Sequence, residues 1–286
     1  MEMRRRLMII MTVLVALSCF GRHLEIAEGR RVLGKGEFRG DTTLTSISLP
    51  LSLREIGPYC FEGCVNLKTV SIPGGNRTLK IGEYAFYDCR RLKEISLPQG
   101  TVLSTGVFQD CVSLESLVVP GSVRELPRFF CSGCRSLRKV TLPSGLKSIH
   151  RLAFAYCESL ESISLPSGLR HIGMNAFSFC GSLRSVTVPA SVTELESYAF
   201  SECVGLEEVT LSSGAREIGE LIFSGCRSLK CIRVPRMVPP TFECNSFIFE
   251  PDEKEMYDSC ELSVPAGSEA AYRKAHGWRL FAQIGN

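Results

Sequence analysis

The sequence predicts a repeat solenoid, mainly β, of about nine stacked coils of 22–25 residues with a small α/β cap at its C-terminal end. Three observations carry this. A phenylalanine returns at Phe38, Phe61, Phe86, Phe108, Phe154, Phe177, Phe200 and Phe223, with Cys131 in its place once, in steps of 23, 25, 22 and then 23 throughout. A cysteine follows that marker three residues later, except for Asp41 in the first unit, and a leucine six residues later. Each unit then closes in an apolar–polar alternation that usually ends at proline, as in "SVTVP" (185–189). One unit cannot bury its own apolar side, but stacked units bury a continuous column at every position.

The elements follow in chain order. Residues 1–22 predict a signal segment: Arg4, Arg5 and Arg6 form a basic start, and "LMIIMTVLVAL" (7–17) is an apolar run too short to span a bilayer comfortably. "ALSCFG" (16–21) resembles a lipobox, in which cleavage after residue 18 leaves Cys19 lipidated, although Ala16 stands where leucine is preferred. Ordinary secretory cleavage nearby is the other reading, and both predict an exported chain. Residues 28–237 carry the repeat, with stacking expected from about Arg30. Within each coil, "L-x-x-I-x-L-P" predicts one strand, "L-x-x-I-G" a second short strand on another side, and "x-A-F-x-x-C" a turn or short helix. Residues 238–286 form a degenerate last repeat and cap: an acidic loop at 250–259, a resumed strand at 260–265, and a short helix at 269–275 that Ser268 can cap.

The cysteines at 64, 89, 111, 134, 157, 180, 203 and 226 (Cys64, Cys89, Cys111, Cys134, Cys157, Cys180, Cys203, Cys226) lack the close paired spacing of a zinc site. They are expected to be buried thiols acting as small hydrophobes. "CSGC" (131–134) has the form of a redox pair, but "AF" has become "FC" there, which exchanges one large and one small core residue between Phe130 and Cys131.

The consensus "L-x-x-I-x-L-P-x-x-L-x-x-I-G-x-x-A-F-x-x-C" resembles that of the BspA-like bacterial surface leucine-rich repeats, from residue 30 to about 235. The tail "VPAGSEAAYRKAHGWRLF" (264–281) resembles the block that closes many such proteins. The resemblance implies a right-handed leucine-rich-repeat stack and a role in extracellular binding or adhesion, toward a protein or glycan ligand.

The net charge is +3, with 44% hydrophobic and 22% charged residues, so a large core is available and no concentrated basic face argues for nucleic acid. No catalytic triad, P-loop or H-E-x-x-H motif is present, and no cofactor or metal is expected. After each column leucine the charge alternates from Lys93 through Glu115, Arg138, Glu161, Arg184 and Glu207 to Lys230, a strip that neutralises itself. Arg39-Gly40-Asp41 is the integrin-binding tripeptide, but such a tripeptide arises by chance in about one chain in twenty of this length. The candidate partner site is elsewhere. Two residues after the marker, where other coils hold Gly, Asp or Glu, stand Tyr156 and Phe179. Either these rings join the core, or they anchor an interface flanked by the basic column Arg124, Lys147 and Arg170.

Overall fold

The structure, a computed structural model, describes residues 21–75, 77–212, 214–215, 217–243, 247–250 and 252–285. Cys19 and the rest of the leader lie outside the described residues. The chain winds into about eleven turns, all of whose paired strands are parallel. On one side of each coil lie strands such as Leu44–Ser48, Ser185–Val188 and Glu208–Leu211; on a second side lie two-residue strands such as Ser148–Ile149 and His171–Ile172. The ladder steps by one repeat, pairing Glu125 with Ser148 and Ser185 with Glu208. Where the repeat is 25 residues the step follows it, and Ile56 pairs with Ile81.

The turns beyond the repeat count arise at the ends. The strand Arg22–Glu25 pairs with the first full coil, and Glu261–Ser263 and Gln283–Gly285 extend the sheet past the last marker. These terminal turns keep the strand but not the phenylalanine–cysteine turn, so the marker misses them. The loop expected at 250–259 contains a helix, α1 (Lys254–Ser259), fixed by Tyr257, whose hydroxyl donates to Phe249 O at 2.9 Å. In α2 (Glu269–Lys274) Ser268 precedes the helix but does not cap it with its side chain: the hydroxyl turns back to Pro265 O at 2.6 Å. Trp278 and Phe281 are buried over the last coil, and the indole N–H of Trp278 donates to Pro240 O at 2.7 Å.

The third side of the coil is the turn around the marker. In every coil the residues two before and two after the marker take positive φ, as at Leu152 (58°) and Tyr156 (60°) or Asn175 (56°) and Phe179 (61°). This directs the N–H groups of positions −2, 0 and +2 at the next coil. Leu152 N–H donates to Met174 O at 3.0 Å, and Phe154 and Tyr156 N–H donate to Ala176 O and Ser178 O at 2.8 Å. The turn is therefore a third inter-coil ladder, with its donors all facing the C-terminal end. Past the last marker there is no further repeat, and Leu221, Phe223 and Gly225 N–H find Phe247 O, Ile248 O and the Glu253 carboxylate instead.

Inside, the marker rings form one stack, with Phe177 to Phe200 at 5.2 Å and 3°. Phe130 enters this stack from the neighbouring position and lies edge-on to Phe108 and Phe154, while Cys131 is buried beside it. The exchange of large and small residues at 130 and 131 is thus a repacking of the core.

Candidate binding surface

The cysteine column is buried but not inert. Each thiol donates to the marker carbonyl of the preceding coil: Cys64 to Phe38 O at 3.0 Å, Cys157 to Cys131 O at 3.3 Å, Cys226 to Phe200 O at 3.1 Å, and likewise Cys89, Cys111, Cys134, Cys180 and Cys203. The same carbonyl also accepts the N–H three residues on, as Phe154 O accepts Cys157 N–H at 3.3 Å. Cysteine recurs because the site needs a small group with one weak donor, a role that reading it as a plain hydrophobe leaves out. Burial pushes the Cys60 and Cys64 thiols up to about 12 and raises those of Cys89, Cys111, Cys157, Cys180 and Cys226 well above the ordinary value.

The first coil has no marker coil before it. There Asp41 replaces cysteine, and an acceptor replaces a donor: its carboxylate receives Thr43 N–H and O–H at 2.9 and 2.7 Å and Leu44 N–H at 3.2 Å, and pairs with Arg22. Arg39 is paired with Glu62 at 2.9 Å. Arg39 and Asp41 of the tripeptide are thus engaged by the neighbouring turns.

The outward position two after the marker carries Tyr156 and Phe179. Their rings stack on each other at 4.6 Å and 9°, and they remain 41% and 39% exposed. They do not join the core. The positive φ at these positions turns the side chain away from the phenylalanine stack two residues earlier. Bulky side chains are unfavourable in that conformation by about 1–2 kcal/mol; four coils use glycine there instead, at Gly40, Gly63, Gly133 and Gly225. Val204, 46% exposed, stands on the next coil beside Gly181.

The basic column is not part of this surface. Arg124 Nη1 donates to Gly121 O at 2.7 Å and Lys147 Nζ to Gly168 O at 3.3 Å, in the turns that enter the second strand, and Arg170 occupies the same position. Tyr156 and Phe179 stand on the turn that leaves that strand. Sequence spacing places the two groups nine residues apart in the coil, and the whole second side separates them. Along the stack at the same coil position, Gly133 and Glu202 flank the pair, with Asp110 and Asp88 beyond Gly133.

One arrangement was missed by reading columns one at a time. His150 and His171 lie in different repeat positions yet meet edge-on at 5.3 Å, bonded to Glu125 at 3.3 Å and Glu196 at 2.8 Å. Burial pushes the Glu196 carboxyl up, but bonds from His171 and Met174 N–H and the charges of His171 and His150 outweigh it and hold the carboxyl low. The alternating charges do pair, Lys93 with Glu115 at 3.1 Å and Glu207 with Lys230 at 2.6 Å and Arg184 at 3.7 Å. Among the described residues no cluster of three His, Cys, Asp or Glu could hold a metal ion, and no helix is long and apolar enough to cross a membrane.

Comparison with curated proteins gave no match. Among solved structures, a leucine-rich cell surface protein of Faecalibacterium prausnitzii shares the fold at TM-score 0.54 and 23% identity, over 92% of this chain and 87% of that one. A leucine-rich repeat protein of Bacteroides ovatus matches at TM-score 0.60 and 26% identity, over 87% of this chain and 73% of its own. A leucine-rich repeat protein of T. pallidum is 31% identical at TM-score 0.52, over 57% of this chain and 78% of that one. The BspA type leucine rich repeat region matches in six copies across residues 18–137 and 125–248. Periodicity, sheet register and these matches agree: the chain belongs to the BspA-type leucine-rich repeat family.

Proposed function

We propose that this is an exported, non-catalytic surface protein that binds a protein or glycan partner through the Tyr156–Phe179 face. The observation that carries the reading is the stacked, exposed ring pair held at positive φ. Folding does not require these rings, since the other coils form the same turn with Gly, Asp or Glu at that position. Aromatic side chains are the usual energetic anchors of interfaces. Membership of a family of bacterial surface proteins supports the location. In this reading residues 1–22 are removed on export, and Cys19 holds the mature chain to the membrane by a lipid; labelling with palmitate that disappears in Cys19→Ala is the expected result.

Assembly of an envelope layer by end-to-end stacking is disfavoured by the C-terminal end. There Trp278, Phe281 and α2 cover the last coil, and Phe247 O, Ile248 O and Glu253 take up its outward N–H groups. The direct test is binding of the purified solenoid to a panel of immobilised matrix proteins and glycans. The double change Tyr156→Ser, Phe179→Ser is expected to abolish the positive signals with the melting temperature preserved. Retained binding by the folded double variant would refute this face as the site.

A further inference from the structure

The one 25-residue step in the repeat, from Phe61 to Phe86, displaces an arginine. The extra length falls between the strands Thr69–Ser71 and Leu79–Ile81, in the turn that joins the two sides of the coil. In other coils a basic residue of this turn stays exposed and caps a carbonyl three residues back: Arg54 Nη1 donates to Leu51 O at 2.9 Å and Arg124 Nη1 to Gly121 O at 2.7 Å. In the longer coil Leu79 takes that position before the marker, and Arg77 makes the corresponding bond, Nη1 to Gly74 O at 3.3 Å. Unlike its counterparts, Arg77 is only 9% exposed.

The rest of this guanidinium is unpartnered. Nε and Nη2, which together form one edge of the planar group, are buried and donate to nothing. Burial and the charge of Arg54 push the Arg77 guanidinium below its ordinary pKa, and the charge of Glu28 opposes them. Glu28 is itself engaged by Leu51 N–H, at 3.1 Å. A buried donor without an acceptor is costly, more so on a charged group, and folded proteins keep few of them. The neighbouring coils hold Arg77 in place. A side chain on Gly100 would begin 2.5 Å from Arg77 O, so that glycine lets the next coil close on it. From the preceding coil Leu51 reaches over Gly75: a side chain at 75 would begin 3.2 Å from Leu51 Cδ1 and 3.7 Å from Arg77 Nη1. Leu51 is 51% exposed, so its outward swing over a residue without a side chain opens a way to the guanidinium.

We propose that Arg77, with Arg54 beside it, is a binding site for an oxyanion group, a carboxylate, sulfate or phosphate that presents two oxygens to the Nε–Nη2 edge. That edge matches a pair of oxygens in geometry as well as in charge. Arg54 bonds only to the Leu51 and Leu53 carbonyls, so its charge adds to the attraction. The site stands on the turn between the two strands, three coils before the Tyr156–Phe179 face, and does not depend on that face.

The test is isothermal titration calorimetry of the purified protein with sodium sulfate, sodium phosphate and sodium glucuronate, each in chloride buffer of matched ionic strength so that general screening is constant. At least one of these anions is expected to bind saturably at one site. Arg77→Met, which keeps the length and removes the donors, is expected to weaken that binding at least tenfold. Preference for glucuronate assigns the ligand group as a carboxylate, and preference for sulfate or phosphate as an ester of those acids. In chloride alone, Arg77→Met is expected to melt above the unchanged protein, since it removes an unpaired buried charge. Arg77→Lys, which keeps the charge but not the fork, is expected to lose the same binding and serves if Arg77→Met does not fold. The absence of saturable heat with all three anions, or equal binding by a folded Arg77 variant, would overturn the site. A melting temperature of Arg77→Met well below that of the unchanged protein in chloride would show a guanidinium already satisfied by the fold, and would overturn it as well.

Discussion

Phe177 and Phe179 stand two residues apart in one coil, and each stacks on an aromatic ring of the preceding coil, at 5.4 and 4.6 Å. Their local chemistry is the same and their fates are opposite. Phe177 repeats at the marker position, is fully buried, and continues the ring column to Phe200. Phe179 occurs with Tyr156 alone at its position, sits at φ 61°, and faces solvent. The difference teaches that in a repeat protein the residues that recur are committed to holding the coils together. The residues that break the recurrence are free to meet something else.

Four measurements break or sharpen that contrast. The largest effect is expected from alkali acting on the recurring interior. Free thiols ionise at an ordinary value of 9.0, whereas Cys64, Cys89, Cys111, Cys157, Cys180 and Cys226 are held above it by burial. Because the folded values are raised, the thiols' contribution is fully present below pH 9 and is lost as pH rises through the window between the unfolded and folded values. Each of these thiols adds to the loss over that window, so the effect accumulates along the column. Circular dichroism is expected to show cooperative unfolding near pH 10; a melting temperature unchanged from pH 8 to 10.5 would contradict the buried column.

Phe177→Ala is expected to cost about 3–5 kcal/mol, by loss of apolar contact and a cavity in the ring stack. Denaturant unfolding measures it. Cys157→Ser is expected to cost about 1–3 kcal/mol, because the shorter C–O bond leaves the hydroxyl short of Cys131 O in a fully buried site. Cys157→Ala, which forfeits only a weak bond and a little volume, is expected to cost less. The smallest effect belongs to Phe179→Ala, within about 1 kcal/mol, since a 39% exposed ring loses little beyond its stacking on Tyr156 while its Cβ keeps the same backbone strain. A cost for Phe179→Ala that matched Phe177→Ala would erase the distinction between the two rings.

The coil was legible in the sequence because every packing requirement is stated there many times. Leu183 and Val186 are known as core from their equivalents, and the exchange at Phe130 and Cys131 could be recognised only against the pattern of the other coils. The surface site was half legible. Tyr156 and Phe179 could be picked out as exceptions, but their direction depends on the sign of φ, which the residue types argue against. Their flank was misassigned to Arg124, Lys147 and Arg170 because nearness in a coil was judged by sequence count, whereas a ladder brings together residues one repeat apart, such as Asp110, Gly133 and Tyr156. The partner of each thiol is likewise in another coil, 26 residues back for Cys157. α1 and the hydroxyl of Ser268 belong to the part of the chain that has no equivalents to compare.

The direction of the turn ladder has a consequence for how such a chain changes length. Donors at positions −2, 0 and +2 face one way in every coil, and the carbonyls that receive them face the other. Any interior coil therefore presents the same two backbone surfaces, so one unit removed or duplicated in frame rejoins its neighbours with the turn ladder restored. Only the two terminal solutions, Asp41 with Arg22 at one end and Glu253 with the Trp278 cover at the other, must be kept. Unequal recombination between coils can then lengthen or shorten the array, and move an exceptional pair such as Tyr156 and Phe179 along it, without a new fold having to be found.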